Sequence, residues 1–233
     1  MYQIRNYFTV LFILMLITGC ATKQTADVSE FSGYLGNYDK LTETTDEREQ
    51  QVLRYIKPGI KDGNYTKIIV DDVVFYPSID ETALADVEAK GHITKEALIK
   101  IRDYTNEALR REVGKVMTLT DQPGPDTLRI RVALTGLSAS TQELAVYEYV
   151  PVALVLAGVA TVIGERDLDT FVITEGELLK SDTGERLFMS VRKSKAVEQL
   201  KDSKEPLTAD HVRQVIDDSG EEVGLWLKKN VVN

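Results

Sequence analysis

The feature that most constrains this chain is a short apolar stretch near its N-terminus, residues 10–17, which is followed by Thr18, Gly19 and Cys20. Arg5 is the only charged side chain that precedes it. A helix needs about 20 apolar residues to cross the hydrocarbon core of a bilayer, so this stretch is too short for a permanent span. A basic start, a short apolar segment and small residues are typical of a secretory signal. We therefore expect residues 1–19 to be a cleaved signal peptide.

Residues 17–20, Ile-Thr-Gly-Cys, resemble the lipobox of bacterial lipoproteins. The resemblance implies cleavage between Gly19 and Cys20, attachment of diacylglycerol to the Cys20 sulfur, and acylation of the new amino group, for example with palmitate. Three acyl chains would hold the protein firmly, because a single chain binds a membrane only marginally. By resemblance to the enterobacterial sorting rule, Ala21 in place of Asp favours the outer membrane of a Gram-negative bacterium, with the domain facing the periplasm. A plain signal peptide with an incidental cysteine is the alternative.

The charge balance excludes some classes of partner. The chain has 28 basic and 37 acidic residues, and loss of Arg5 with the signal peptide would leave a formal charge of −10. A surface this acidic repels phosphate backbones, so we expect no nucleic-acid partner. Cys20 is the only cysteine, which excludes a disulfide within the chain and a site made of several thiolates.

The predicted domain organisation is simple. Residues 20–32 are polar and lack periodicity, and we interpret them as a flexible tether behind the lipidated cysteine. Residues 33–229 are long enough for one domain with a substantial core, and residues 230–233 form a tail.

Hydrophobic periodicity predicts an α+β fold with a mixed or antiparallel sheet of about four strands covered by two main helices. Residues 32–41 are expected to form an ordered loop whose aromatic side chains pack inward. The strand at 67–76 should bulge or end at Asp71-Asp72, and the strand at 128–135 should turn one face to the core and the other to water. The remaining predicted elements are a helix at 94–113, a hairpin formed by 171–179 and 187–191, and a helix that starts near Thr208.

Three stretches together resemble a family of bacterial lipoproteins known as domain of unknown function 3313. They are residues 121–125 leading into 128–135, residues 32–35 with Tyr38 and Leu41, and residues 175–179 with 182–185. The similarity covers roughly residues 32–229, and it implies a lipoprotein without implying a reaction.

An apolar segment at 150–163 carries no charge over its whole length. Pro151 suits the first position of a short helix, and Gly164 suits its C-terminal cap. A buried core helix or loop is the simplest interpretation for a run of this length. The alternatives are a self-association surface, with Ala153, Ala157 and Thr161 as a stripe of small residues, or a membrane-docking patch flanked by Tyr147 and Tyr149.

Residue sets typical of catalysis are missing. The motif Asp182-Thr183-Gly184 occurs once, whereas aspartic proteases need two such aspartates. Asp71-Asp72, with Asp80 and Glu81 downstream, lacks the ligand spacing of a cation loop. His92 and His211 are far apart in sequence and have no partner motif. We therefore expect no enzymatic activity, no metal, no cofactor and no small-molecule ligand.

The resulting functional hypothesis is a non-catalytic binding or scaffold protein of the envelope, which contacts another envelope protein or itself. The alternative is an oligomeric subunit of an envelope export or assembly complex; a hydrolase that uses Asp71 or His92 is a third class. The candidate contact residues are Tyr34, Tyr38, Tyr147, Tyr149, Ala153, Ala157 and Thr161.

Overall fold

The fold is α+β, as expected. The computed structural model describes residues 31–79, 85, 93–140, 169–197 and 207–232. They form eight strands in one sheet and two α-helices. The strands are β1 (Thr42–Thr45), β2 (Gln51–Ile56), β3 (Lys67–Val70), β4 (Val74–Phe75), β5 (Thr118–Leu119), β6 (Thr127–Ser140), β7 (Asp169–Lys180) and β8 (Arg186–Lys195), and the helices are α1 (Lys95–Gly114) and α2 (Ala209–Asn230).

The sheet is mixed, and its strand order is β1-β2-β8-β7-β6-β3-β5, with β4 also paired to β6. Strands β2, β8, β7 and β6 form an antiparallel centre, while β3, β4 and β5 join by parallel pairing. The prediction of about four strands is therefore wrong in number. The prediction missed β1, β2 and β5 and did not separate β4 from β3. β1, β4 and β5 have two to four residues and are ordered by pairing with longer neighbours, whereas β2 has six residues and contains the mostly apolar run 52–56.

Both helices begin where their capping residues predict. The Thr94 side chain accepts a hydrogen bond from the Ala97 N–H at 3.1 Å, directly before α1. Thr208 and His211 form a capping box at the start of α2. The helices pack side by side on one face of the sheet, and an added Cβ at Gly220 of α2 would lie 3.0 Å from the Cβ of Ala108 in α1. This close approach explains why glycine occupies that position. Within the described residues, neither helix is long and apolar enough to cross a bilayer.

The acidic pair after β3 ends the strand, as predicted. β3 stops at Val70, and the chain rejoins the sheet only at Val74. The single N–H of the Arg129 Nε is shared between the two carboxylate oxygens of Asp71, at 2.9 and 3.0 Å. This pairing with a cation stabilises the charged carboxylate, which would be unfavourable in the apolar core.

The second face of the sheet is also covered, by residues 31–41. Leu35 and Tyr38 are buried in a small apolar cluster with Leu53, Met189 and Val191. This confirms the expected ordered loop whose aromatic side chains pack inward. The expectation that β6 turns its second face to water is only partly right. Arg129 and Arg131 are partly exposed, but Ala133 and Thr135 are fully buried because that part of the face is covered too.

Candidate functional site

A cavity of about 100 Å³ lies between the sheet and the two helices. The floor of the cavity is one row of paired residues on neighbouring strands. In this row Arg54 pairs with Ser190, Ser190 with Gly176, and Gly176 with Val132. Ser190 and Gly176 are too small to fill the space below α2, so the cavity lies above them. The apolar walls include Leu109, Ile130, Leu178, Phe188, Ile216, Val223, Trp226 and Leu227.

One end of the cavity is formed by a buried ionic cluster. The guanidinium of Arg192 lies 2.6 Å from Asp46 and 2.6 Å from Glu222. Arg54 contacts the same Glu222 at 2.8 Å through Nη2 and Glu47 at 3.4 Å through Nη1. The exposed Lys229 lies 3.5 Å from Glu47, so the cluster holds three cations and three carboxylates.

The pKa values of the two carboxylates that share Arg192 are shifted in opposite directions. Burial raises the pKa of Glu222, and the nearby charges of Arg192 and Arg54 offset only part of this effect. Burial also acts to raise the pKa of Asp46, but the backbone N–H of Gln50 and the charge of Arg192 hold it below its usual range. Asp46 Oδ1 accepts hydrogen bonds from backbone N–H groups at 2.8 and 2.9 Å, which stabilise its charged form.

The opposite face of the sheet holds a different arrangement of charge. Glu175 is fully buried on β7, and the Tyr38 hydroxyl donates a hydrogen bond to that carboxylate at 2.6 Å. Burial and this hydrogen bond raise the pKa of Tyr38 to about 12. The Tyr38 oxygen also accepts from the backbone N–H groups of Gly33 at 2.9 Å and Leu35 at 3.2 Å. One side chain therefore ties the loop to itself and to the sheet.

A second buried carboxylate, Glu177, strengthens this connection. Glu177 accepts hydrogen bonds from Arg131 at 2.8 Å and from Arg186 at 2.7 Å. Arg186 also donates to the carbonyl oxygen of Leu35 at 3.0 Å. Residues 31–41 are therefore an integral part of the fold.

An aromatic patch, formed by Tyr34, Tyr76, Arg131 and Val74, lies at the surface beside this loop. The rings of Tyr34 and Tyr76 meet edge to face with centroids 5.5 Å apart, and the Arg131 guanidinium lies 5.6 Å from the Tyr34 centroid. Tyr76 is 36% exposed and Val74 is 44% exposed. Tyrosine and arginine are enriched in protein interfaces, so this patch is the strongest candidate contact surface among the described residues.

The residues singled out from the sequence fall into different places. Tyr34 belongs to the aromatic patch, whereas Tyr38 is only 5% exposed and bonds within the fold. His211 caps α2, and Asp182 lies in the turn between β7 and β8. Within the described ranges, no group of three or more His, Cys, Asp or Glu side chains is placed to bind a metal. His92, Asp80 and Glu81 lie outside the described residues, as do Gly19, Cys20, Tyr147, Tyr149, Ala153, Ala157 and Thr161.

The sequence reasoning missed the cavity and its ionic cluster. A signal was present, because Arg54 interrupts the otherwise apolar run 52–56. A charged residue inside such a run indicates a buried partner. Nothing in the local pattern identified Glu222 as that partner, which is far away along the chain.

Sequence comparison finds clear relatives. The model of a family described as a protein of unknown function (DUF3313) matches residues 30–223. The uncharacterized lipoprotein YdcL of Escherichia coli K12 is 33% identical over 205 residues, which cover 88% of each chain. The protein of the same name from Escherichia coli O157:H7 matches equally well.

Similarity to solved structures is much weaker. The PelC dodecamer from Paraburkholderia phytofirmans has 11% sequence identity and a TM-score of 0.36, over 74% of this chain and 98% of that chain. A putative neuraminyllactose-binding hemagglutinin homolog from Helicobacter pylori has 8% identity and a TM-score of 0.32, over 77% of this chain and 88% of that chain. Similarities at this level carry no argument about function.

Proposed function

This chain belongs to the DUF3313 family of proteins of unknown function, and from that premise we propose that it is an outer-membrane lipoprotein that binds another envelope protein without catalysis. Its anchor is the lipid on Cys20, and its domain faces the periplasm. The observation that carries the binding role is the exposed aromatic patch of Tyr34, Tyr76, Arg131 and Val74.

The position of the patch along the chain supports a partner close to the membrane. Tyr34 follows Cys20 by only 14 residues. The intervening tether of about 12 residues spans at most about 40 Å when fully extended. Because residues 31–41 are bonded into the sheet, the patch stays near the point where the tether enters the domain. A membrane protein, or a component held at the same membrane surface, fits this location.

The roles of the buried acids support a function without catalysis. Glu175 bonds to Tyr38, Glu177 to two arginines, and Glu222 to two arginines. Each carboxylate is held by structural partners among the described residues. These residues hold the sheet, the loop and α2 together.

Radiolabelled palmitate tests the anchor directly. The parent protein and the Ala21→Asp variant should both incorporate the label, whereas Cys20→Ser should not. Separation of the two membranes by density should place the parent in the outer membrane and Ala21→Asp in the inner membrane. Equal labelling of Cys20→Ser would remove the anchor from the proposal, and an unchanged position of Ala21→Asp would remove the outer-membrane assignment.

Crosslinking in living cells tests the partner. A photoreactive amino acid at Tyr76 should capture a defined envelope protein that mass spectrometry can identify. The matched control is the same substitution at Leu225 on α2, which is 45% exposed and lies outside the patch. An adduct of twice the mass of the chain would show self-association instead, as expected for an oligomeric export or assembly subunit. Identical adducts from both positions, or none from Tyr76, would contradict a role for the patch.

A further inference from the structure

The cavity beneath α2 has the size and the walls of a ligand site. Natural protein interiors contain few voids larger than a water molecule. This cavity, at about 100 Å³, reaches roughly two-thirds of an engineered apolar cavity of about 150 Å³ that binds benzene. Aromatic rings form part of its wall, since Phe188 and Trp226 meet with centroids 4.2 Å apart.

One arginine that lines the polar end of the cavity has a hydrogen-bond donor without a partner among the described residues. Arg54 lines the cavity with a side chain that is only 7% exposed, and its guanidinium lies 5.6 Å from the Phe188 ring centroid. Two of its nitrogens bond to Glu47 and Glu222. Its Nε has no hydrogen-bond partner in the part of the chain that the structure describes. A buried donor of this kind is destabilising unless an acceptor reaches it.

The charge of the ionic cluster limits what that acceptor can be. With Lys229, which lies 3.5 Å from Glu47, the three cations and three carboxylates of the cluster have a formal charge of zero. An anionic ligand and a cationic ligand would each add a buried charge that the cluster does not neutralise. Both are disfavoured in a site of low dielectric constant, whereas a neutral oxygen is not.

We propose that this cavity binds a small uncharged molecule with an apolar body of about four non-hydrogen atoms and one acceptor oxygen, such as a cyclic ether or ketone. The oxygen accepts the Arg54 Nε–H, and the body packs against Phe188 and Trp226. This inference goes beyond the proposed binding of an envelope protein, and it departs from the expectation of no small-molecule ligand.

Three five-membered rings of nearly equal size separate the elements of the proposal. Tetrahydrofuran carries the acceptor oxygen, cyclopentane lacks it, and protonated pyrrolidine adds a positive charge. Each is titrated into the full-length protein in phospholipid vesicles, and the thermal unfolding midpoint is followed by the emission of Trp226, the only tryptophan. Tetrahydrofuran should raise the midpoint in a saturable manner, and pyrrolidinium should not. No saturable rise with tetrahydrofuran, or an equal rise with pyrrolidinium, would overturn the proposal.

A cavity-filling variant tests the location. An added Cβ at Gly176 would meet its neighbours at ordinary distances of 3.5 and 3.6 Å, so Gly176→Val should fold and occupy the cavity. Gly114→Val is the matched control, because an added Cβ there also meets its neighbours at 3.5 and 3.6 Å but lies outside the cavity. Gly176→Val should abolish the response to tetrahydrofuran, and Gly114→Val should keep it. Equal responses of the two variants would overturn the site.

The Arg54→Lys variant tests the donor. Lysine keeps a positive charge near Glu222 but lacks the Nε–H of arginine. Its affinity for tetrahydrofuran should fall about tenfold, while its affinity for cyclopentane should stay unchanged. Equal losses for both rings would remove the hydrogen bond from the proposal. If Arg54→Lys does not fold, the comparison of tetrahydrofuran with pyrrolidinium in the parent and the Gly176→Val result still decide the proposal.

Discussion

The two faces of the sheet bury charge in different ways. On the helix face, Arg192 is 9% exposed and its partners Asp46 and Glu222 are at most 4% exposed, so cation and anions are buried together. On the loop face, Glu177 is 3% exposed, but its partners Arg131 and Arg186 are 44% and 34% exposed.

This difference indicates which contacts contribute most to the stability of the fold. Removal of a partly exposed arginine should reduce the free energy of unfolding only slightly, because water replaces part of the stabilisation that the arginine provided. Where both partners of an ion pair are buried, removal of one leaves the other as a charge that neither water nor a partner compensates. The cluster around Arg192 should therefore dominate the stability of the fold, while the contacts of residues 31–41 should be the first to open.

The largest expected effect is that of Arg192→Ala. It should lower the free energy of unfolding by about 3–5 kcal/mol, because Asp46 loses the buried cation that it contacts and Glu222 keeps only Arg54. Arg186→Ala on the other face should cost about 1 kcal/mol or less, since Glu177 keeps Arg131. Urea unfolding followed by circular dichroism measures both. Equal losses in the free energy of unfolding would show that the ion pairs of the two faces contribute equally to stability.

The next effect is one that depends on pH. Asp46→Asn should lower the free energy of unfolding by about 2 kcal/mol at pH 7, because an amide cannot replace the charged partner of Arg192. The pKa of Asp46 is held below its usual range in the fold. Its contribution is therefore present above the unfolded pKa of about 3.9 and is lost as the pH falls through the folded value. Urea unfolding at several pH values should show a constant difference from pH 5 to 7 that shrinks below about pH 4. A difference that grows on acidification would contradict this sign.

The loop face should respond less to a single change. Tyr38→Phe leaves Glu175 buried without its hydroxyl partner, and should cost about 1–2 kcal/mol. Residues 31–41 should also become more sensitive to limited proteolysis, followed by mass spectrometry. In a Glu175→Gln background the same change should cost less, because no buried charge is left unpaired. A cost that is equal in both backgrounds would show that the hydrogen bond is not the cause.

The smallest expected effect is a gain on the helix face. Gly176→Ala should raise the free energy of unfolding by about 0.5–1 kcal/mol, since alanine loses less backbone entropy than glycine and its Cβ has room in the cavity. On the neighbouring strand, Gly136→Ala should lower it, because a Cβ there would lie 2.6 Å from the Cδ1 of Ile173. The thermal unfolding midpoints of the two variants check both expectations. A shift of the same sign in both variants would contradict them.

The elements that could be predicted are those with strong patterns of their own. The helix predicted at 94–113 is observed as Lys95–Gly114, and the hairpin predicted at 171–191 is longer by a few residues at each end. β1 reads Thr-Glu-Thr-Thr and is exposed throughout, so no hydrophobic alternation marks it. It is a strand because β2 pairs with it.

The candidate contact surface could be predicted only in part. The turn residues and tyrosines of 33–41 indicated a packed loop, and Tyr34 does lie in the aromatic patch. Nothing in the sequence distinguished Tyr34 from the buried Tyr38, because their exposure depends on Glu175 and Tyr76, which lie elsewhere along the chain.

By itself, the sequence determined the α+β class, the positions of the long strands and helices, and the family of the chain. These follow from local periodicity, capping residues and similarity, which operate over short stretches. Which charges are buried together, and where a cavity lies between the sheet and the helices, became apparent only in the folded arrangement of the elements. Arg54 and Glu222 meet across 168 residues of sequence, and a buried ion pair is stable only when both partners are brought to the same dry site.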